Sequence, residues 1–501
     1  MAKRAAGLEG LVLLPAVTLL AYWFGGEALM LVFAVSLPVA LGFAGLALRK
    51  TSGQSFSSDL ALEGFATEGR FVQNLDAVLP TLGASGRTTA CFVVMFDDLD
   101  CILDRHGRLA LDVVLGRSAE RLSLVIREGD VVARLAGHAF AVSLAPVRRF
   151  DLENAVQMAA RLQAAVTAPL AVDDLTLHPS VSVGFCLAQR APALLGSSLL
   201  DAARIAVDEA LRNGPGAIRA YQPDMVRRRA DRAELRAGLE QALDEGQIRP
   251  WFQPQTSTDT GEITGFEALA RWQHPTRGIV SPAEFLPIVE DVGLSERLAE
   301  VILYGALSAL SRWDKAGHRI ERVAVNFSAS ELRNPRLPDK LKWELDRFAL
   351  TPERLTVEVL ETVAALSKDD VILTNLARIA DLGCGIDLDD FGTGSASIAN
   401  IRRFAVRRIK IDRSFVTRAD VDAEQKRMVA AILSLCERLG LDTVAEGVET
   451  PGEHETMAQL GCGHLQGFGI ARPMAVEETF GWISRHEQVL ARTLRLGNSG
   501  R

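Results

Sequence analysis

The sequence predicts an α/β protein built around a (β/α)8-type barrel, preceded by a smaller α/β domain and an apolar two-helix hairpin. Three observations predict this. Eight short β-rich segments alternate with helical patterns over residues 231–490, the arithmetic of such a barrel. A shorter alternation of strands and helices fills residues 59–222. Ahead of both, residues 8–48 hold two apolar runs. The 501 residues have room for all three parts at about 100–200 residues per domain.

Composition narrows the function classes. Hydrophobic residues make up 48% and charged residues 24%, which excludes a disordered or fibrous chain. The net charge of −8 supplies no global basic field, so a nucleic-acid polymer is not an expected partner. The six cysteines, Cys91, Cys101, Cys186, Cys384, Cys436 and Cys462, form no CxxC pair. They read as reduced thiols of cytosolic domains, neither a disulfide framework nor a zinc site.

The apolar runs span 10–24 and 28–48, separated by Gly25-Gly26-Glu27. The second is long enough to cross a bilayer core of about 30 Å as a helix, and the first is near the lower limit. Pro15 and Pro38 are tolerable inside membrane helices. Lys3 and Arg4 precede the hairpin, Arg49 and Lys50 follow it, and the turn carries an acid and no base. The positive-inside rule then places both ends in the cytoplasm as a multi-pass anchor. A cleaved signal peptide is the competing reading, weakened by a second apolar run and by the lack of a small-residue cleavage site.

In the middle domain the strand candidates are 90–96, 131–135 with 139–144, and 180–188. Helical patterns fall at 109–126, 152–168 and 199–212. Pro223 breaks the series, and a charged amphipathic pattern over 225–245 leads into the last domain.

The barrel strands are expected at 247–255, 265–271, 322–328, 355–360, 385–389, 408–411, 442–445 and 464–471. Helices at 298–313, 370–382 and 424–439 fall between them. Polar residues recur at one end: Gln253, Glu267, Asn326, Glu358, Asp389 and Asp390, Lys410, Glu446 and Gln466. Each lies at or near the C-terminal end of its strand, where barrel active sites are built. One such acid would usually be a loop cap. Eight strands in phase are hard to explain that way.

Carboxylates and an Asn converging on one mouth repel unless cations join them. Hard oxygen donors select Mg²⁺ or Mn²⁺ over zinc. Adjacent Asp389 and Asp390 would let two ions share a carboxylate, which suits in-line phosphoryl displacement by water. Lys410 and Arg271 add positive charge for phosphate oxygens or an attacking hydroxide. The residue types point to a metal-assisted phosphodiesterase.

The segment Phe266-Glu267-Ala268-Leu269-Ala270-Arg271-Trp272 resembles the signature of the EAL-domain cyclic di-GMP phosphodiesterases. Gln253-Pro254, Asn326-Phe327-Ser328, Glu358-Val359-Leu360-Glu361 and Asp389-Asp390-Phe391-Gly392-Thr393-Gly394 are similar to that family's motifs. Lys410-Ile411-Asp412, Glu446-Gly447-Val448-Glu449 and Gln466-Gly467-Phe468 complete the series in the family's order. The resemblance implies a modified TIM barrel with an irregular first strand. It implies that Glu267, Asn326, Glu358, Asp389 and Asp390 hold two ions, Mg²⁺ or Mn²⁺. Lys410 and Glu446 would serve the attacking water, and Gln253, Arg271 and Gln466 would bind the dinucleotide. Glu361 would steady the loop after Asp390. The implied activity is hydrolysis of cyclic di-GMP to linear pGpG, at the bacterial inner membrane with the soluble domains in the cytoplasm. One departure is Ser395-Ala396 in place of the family's commoner Tyr-Ser.

The middle domain resembles the GGDEF-type diguanylate cyclases, a nucleotide-cyclase-like α/β fold, in decayed form. Arg134-Leu135-Ala136-Gly137-His138-Ala139-Phe140-Ala141-Val142 occupies the signature hairpin. Ala136 replaces its first glycine and His138-Ala139 its acidic pair, which removes the hard oxygen ligands. Asp98-Leu99-Asp100 keeps an Asp-x-Asp pattern, and Leu211 stands where a phosphate-binding lysine is expected. The resemblance thus implies no cyclase activity. Arg127 and Asp130 keep an RxxD spacing, which in that family is an allosteric cyclic di-GMP site and otherwise an ion pair at a helix end. Two alternatives to the hydrolase stay open: a membrane receptor that binds cyclic di-GMP without cutting it, and a scaffold that mainly dimerises. A homodimer is expected.

Overall fold

The computed structural model describes residues 65–172, 175–365, 370–392, 401 and 404–498. The chain divides into two compact units, between Arg229 and Ala230.

The first unit has α1 (Glu68–Ser85), β1 (Ala90–Phe96), α2 (Leu99–Val125), β2 (Val131–Leu135), β3 (Ala139–Ser143) and α3 (Leu152–Thr167). It continues through β4 (Leu170–Val172), β5 (Leu175–Leu177), β6 (Val181–Leu187), α4 (Gly196–Arg212) and β7 (Ile218–Ala220). Its main sheet runs β2-β3-β1-β6-β7. β1 is central and apolar throughout, so both of its faces must be covered. Phe92, Val94 and Phe96 pack with α2 and α3, whereas Cys91 and Val93 pack with α1 and α4. Period-two alternation thus feeds two cores. α4 sits so close that a Cβ on Gly184 would fall 2.0 Å from the Val207 amide nitrogen. The helix expected over 109–126 begins just past Gly107, whose φ of 78° breaks α2.

A helix, α5 (Asp224–Asp244), contains the division between the units. The second unit has strands β8 (Ile248–Ser257), β9 (Ile263–His274), β10 (Gly278–Val280), β11 (Val323–Asn326), β12 (Leu355–Leu360) and β13 (Gly385–Phe391). β14 (Arg408–Ile411), β15 (Asp442–Ala445) and β16 (His464–Leu465) follow. Among the outer helices are α6 (Ser295–Lys315), α7 (Leu337–Arg347), α8 (Asp370–Leu382), α9 (Ala423–Leu439), α10 (Pro451–Gln459) and α11 (Val476–Asn498). The strands run β9-β11-β12-β13-β14-β15-β16-β8, and β8 pairs back onto β9 to close the barrel; β10 is an extension on β9. The neighbours from β9 through β16 are parallel, but β8 is antiparallel to both β9 and β16. The connection 258–262 is too short for a parallel crossover, so β8 and β9 can only form a hairpin.

Alternation along each strand separates an apolar wall from a polar lumen. Leu355, Val357 and Val359 of β12, and Ile386 and Leu388 of β13, join the cluster beneath the helices. Thr356, Glu358, Asp387, Asp389, Arg408 and Lys410 are equally buried but belong to none of the apolar clusters. They fill the barrel interior, as the period of two requires.

Two expectations are corrected. The strand expected over 464–471 ends at Leu465, because Gly467 packs against the backbone of Val448, 2.1 Å from where its Cβ would lie. The two membrane spans expected over 8–48 lie outside the described residues. Among the described residues no helix is long and apolar enough to cross a membrane. Helices α4 and α6 are amphipathic, with apolar residues turned onto the sheets. The assignment to the bacterial inner membrane therefore has no described span to carry it.

Candidate active site

At the barrel mouth stands Lys410, third residue of β14 and almost wholly buried. Its Nζ lies 2.7 Å from Glu446 Oε1, 3.0 Å from Glu358 Oε2, 3.1 Å from Asp389 Oδ1 and 3.4 Å from Glu267 Oε2. Strand register explains the convergence. Asn326 is paired with Glu358, and Glu446 and Gln466 follow immediately after β15 and β16. Gln253 and Glu267 are not strand-end residues. They sit mid-strand as direct partners across the β8–β9 hairpin, which puts both side chains on one face.

Asp389 and Asp390 pose a geometric problem, since neighbours on a strand point to opposite faces. A bulge resolves it. Between Leu388 and Phe391 β13 advances three residues while β14 advances two, from Ile409 to Ile411. Asp390 takes φ of 53°, in the left-handed region, and its N–H donates to Asp389 Oδ1 at 2.9 Å. As a result oxygens of Asp389, Asp390 and Glu446 lie within 4.8 Å of one another, as do those of Glu267, Glu358 and Asp389.

Electrostatics follow from crowding in a largely buried site. Burial works against the Lys410 ammonium, but Asp389, Glu267, Glu358 and Glu446 outweigh it and hold its pKa well above the ordinary lysine value. Burial, reinforced by Glu267, pushes Glu358 well above the carboxylate range. Burial, opposed by Lys410 and reinforced by Asp389, pushes Glu446 up to about 8. Asp389 and Asp390 are raised by burial and by neighbouring carboxylates. Glu267 alone is lowered: burial opposes its charge, but Lys410 and hydrogen bonds from Gln466 and Asn326 outweigh that. Asn326 Nδ2 donates to Glu267 Oε1 at 2.8 Å.

The donor set fits divalent cations. Glu358 Oε2 faces Lys410 off the hydrogen-bonding direction, and neither Glu358 oxygen has a hydrogen-bond partner although the side chain is fully buried. Lys410 meets Oε2 as an ion pair, but a buried carboxyl with no hydrogen bond to either oxygen is costly, and a cation would offset that cost. Glu267, Glu358, Asp389, Asp390 and Glu446 could hold such ions.

Gln466 Nε2 donates to Glu267 Oε2 and to Gln253 Oε1, the latter at 3.2 Å. Gln253 Nε2 donates to the Ala471 carbonyl at 3.0 Å. Arg271 lies four residues along β9 from Glu267, on the same face, and burial lowers its pKa against the pull of Glu267. Glu361 accepts the Gly392 N–H at 2.8 Å, so it anchors the chain where the loop leaves β13. Ser395 and Ala396, the departure noted above, lie outside the described residues.

Sequence reasoning missed a second polar layer beneath the first. Arg408 donates through Nε to Asp387 Oδ2 at 2.8 Å and through Nη2 to Gln255 Oε1 at 2.9 Å. Each lies two residues from a mouth residue: Asp387 from Asp389, Arg408 from Lys410, Gln255 from Gln253. Period-two alternation was the signal that could have found them.

In the first unit, Asp98 accepts the Cys101 N–H at 3.1 Å as a helix cap. Asp130 accepts the N–H groups of Arg127 and Ala145 at 2.9 and 2.7 Å, so its carboxylate shapes a turn. Ala136, Gly137 and His138 form the exposed turn between β2 and β3.

Comparison with known proteins places both units. A family model for the EAL domain matches residues 236–473, and one for the diguanylate cyclase GGDEF domain matches residues 64–216. The chain thus carries a GGDEF domain followed by an EAL domain. It is 33% identical over 390 residues to the bifunctional diguanylate cyclase/cyclic di-GMP phosphodiesterase MucR of Pseudomonas aeruginosa, covering 77% of this chain and 56% of that one. It is 34% identical over 393 residues to the cyclic di-GMP phosphodiesterase NbdA of the same organism, covering 77% and 49%. The chain thus spans about half the length of the curated relatives it matches. Among solved structures, the phosphodiesterase of P. aeruginosa MucR in complex with cyclic di-GMP matches at 37% identity and a TM-score of 0.47, covering 49% of this chain and 99% of that one.

Proposed function

We propose that the barrel hydrolyses cyclic di-GMP to linear pGpG by metal-assisted attack of water. The observation that carries this reading is the meeting of Lys410 with four carboxylates. With Asp390, five acids face one ammonium; once all five are deprotonated, as ligation requires, the four negative charges left over match two divalent cations. Glu267, Asn326, Glu358, Asp389 and Asp390 would hold them, as Mg²⁺ or Mn²⁺, because the donors are hard oxygens. Such cations supply charge neutralisation for the phosphoryl oxygens and acidity for a water. The EAL domain and the relatives named as cyclic di-GMP phosphodiesterases support the substrate.

The chain's own residues divide the remaining work. Glu446, with a carboxyl pushed up to about 8, is placed to exchange a proton with the attacking water near neutral pH. Lys410 keeps its proton and holds Glu446 and Asp389 in place while charge develops on the phosphate. Arg271, Gln253 and Gln466 bind the dinucleotide; for Gln253 and Gln466 a ligand contact replaces one of their present bonds. The GGDEF unit makes no product in this reading and serves regulation or the pairing of two copies.

The test is direct. The full chain, incubated with cyclic di-GMP and Mg²⁺ or Mn²⁺ and followed by chromatography, should release pGpG, and EDTA should stop it. A folded chain that binds cyclic di-GMP without cutting it would overturn the reading in favour of a receptor.

A further inference from the structure

Arg408 is 2% exposed and paired with Asp387, equally buried, on the adjacent strand of the barrel. A buried ion pair of this kind contributes little net stability, because desolvation of both charges offsets their attraction. Arg408 Nη1 has no hydrogen-bond partner, so even that compensation is incomplete. Packing alone gives no reason for a guanidinium here.

Its contacts give one. Arg408 Nη2 donates to Gln255 Oε1 at 2.9 Å, and Gln255 Nε2 donates to Gln466 Oε1 at 2.8 Å. Gln466 Nε2 then donates to Glu267 Oε2. A guanidinium has donors and no acceptor. Gln255 must therefore turn its carbonyl to Arg408, which leaves its NH₂ for Gln466. Gln466 must turn its carbonyl to that NH₂, which leaves its own NH₂ for Glu267. Reversing either amide would set donor against donor at Arg408 or carbonyl against carboxylate at Glu267. One buried cation thus sets the orientation of two amides and the direction of the hydrogen bond reaching a mouth carboxylate.

We propose that Arg408 is a positioning residue: acting through Gln255 and Gln466, it holds Glu267 in the orientation that binds a divalent cation. This rests on the cation-holding role proposed above for Glu267. Outer hydrogen-bond partners of metal ligands typically change affinity 10–100-fold.

The experiment is calorimetric titration of Mn²⁺ onto the full chain without substrate, with thermal melts alongside. Three variants are compared with wild type. Gln255→Glu still accepts from Arg408 but cannot donate to Gln466. Gln255→Met removes the relay at similar volume. Asp387→Leu with Arg408→Met removes its source while leaving no buried charge unpaired. The expected result is Mn²⁺ binding weakened about tenfold or more in every variant that melts cooperatively. A merely structural role would lower the melting temperature and leave Mn²⁺ affinity unchanged, so affinity within twofold of wild type in any folded variant overturns the proposal. Wild type that binds no Mn²⁺ would overturn the metal assignment on which it rests. Wild type that binds Mn²⁺ but leaves cyclic di-GMP intact would overturn the proposed activity alone, since the titration needs no substrate.

Discussion

Lys410 Nζ lies 2.7 Å from Glu446 Oε1, the shortest of its four carboxylate contacts, and the pair joins the ends of neighbouring strands β14 and β15. Glu446→Gln keeps the shape of this contact and removes the proton-accepting carboxylate. It should lower kcat by about 100-fold, the usual scale for a general base, with little change in substrate affinity. Lys410→Met should lower kcat and also the melting temperature of the metal-free protein, because it leaves the buried acids facing one another. Wild-type turnover by Glu446→Gln would remove its role in proton transfer.

Glu267 and Asp389 belong to the same carboxylate trio, and Asp389 belongs to both trios. Glu267→Ala or Asp389→Ala should therefore reduce turnover at saturating Mg²⁺ to below about a tenth, the lower end of what lost metal contacts cost. Ca²⁺ should inhibit, since it binds oxygen ligands at longer distances with irregular geometry. Steady-state rates in each metal check both statements.

The raised carboxyls make a pH prediction. Glu358, Glu446, Asp389 and Asp390 all have folded pKa values above their ordinary ones, with burial the largest cause. Such a group stabilises the fold fully below its ordinary pKa, and that stability is lost as the pH rises through the folded value. Glu446 defines the window, from 4.5 to about 8. Glu267, shifted the other way, loses its contribution only as the pH falls below the ordinary glutamate value. Metal-free protein should melt at a lower temperature at pH 8 than at pH 5. The rise in melting temperature on adding Mn²⁺ should be larger at pH 8, because ligation requires deprotonated acids. A metal-free melting temperature that climbs from pH 5 to pH 8 would contradict the assignment.

Gly467 follows Gln466 in a turn pressed against the backbone of Val448. A Cβ there would lie 2.1 Å from the Val448 carbonyl oxygen, and backbone cannot swing aside as a side chain can. Gly467→Ala should cost at least about 2 kcal/mol of stability and displace Gln466. Denaturant melts and the KM for cyclic di-GMP are the measurements.

The β2–β3 hairpin carries His138 in its turn and Ala139 at the start of β3, where a metal-holding acidic pair would be needed on a nucleotide triphosphate. The chain with GTP and Mg²⁺ should make no cyclic di-GMP by chromatography. Measurable product would reverse this.

Much of the site was legible as a list of residues. Polar side chains recurring once per strand at Asn326, Glu358, Asp389, Lys410, Glu446 and Gln466 announce a barrel mouth, because strand ends of a closed barrel must meet there. Period-two patterning also decides which side chains face the wall, as Leu355, Val357 and Val359 do. These are local properties, carried by residue type and spacing.

Closure was decided in three dimensions. That Gln253 faces Glu267 follows from the antiparallel hairpin of β8 on β9, and that β8 also borders β16 depends on the whole circuit of strands. Adjacent Asp389 and Asp390 serve one mouth only because β13 is bulged against β14. The layer of Gln255, Asp387 and Arg408 lies two residues below the mouth on its strands, a spacing the sequence carries, but that these three touch one another is set by the register between β8, β13 and β14. Residue type and spacing determine which groups each strand offers to the lumen; the register between strands distant in sequence decides which of them touch, because hydrogen-bonded pairing and not chain proximity sets those distances.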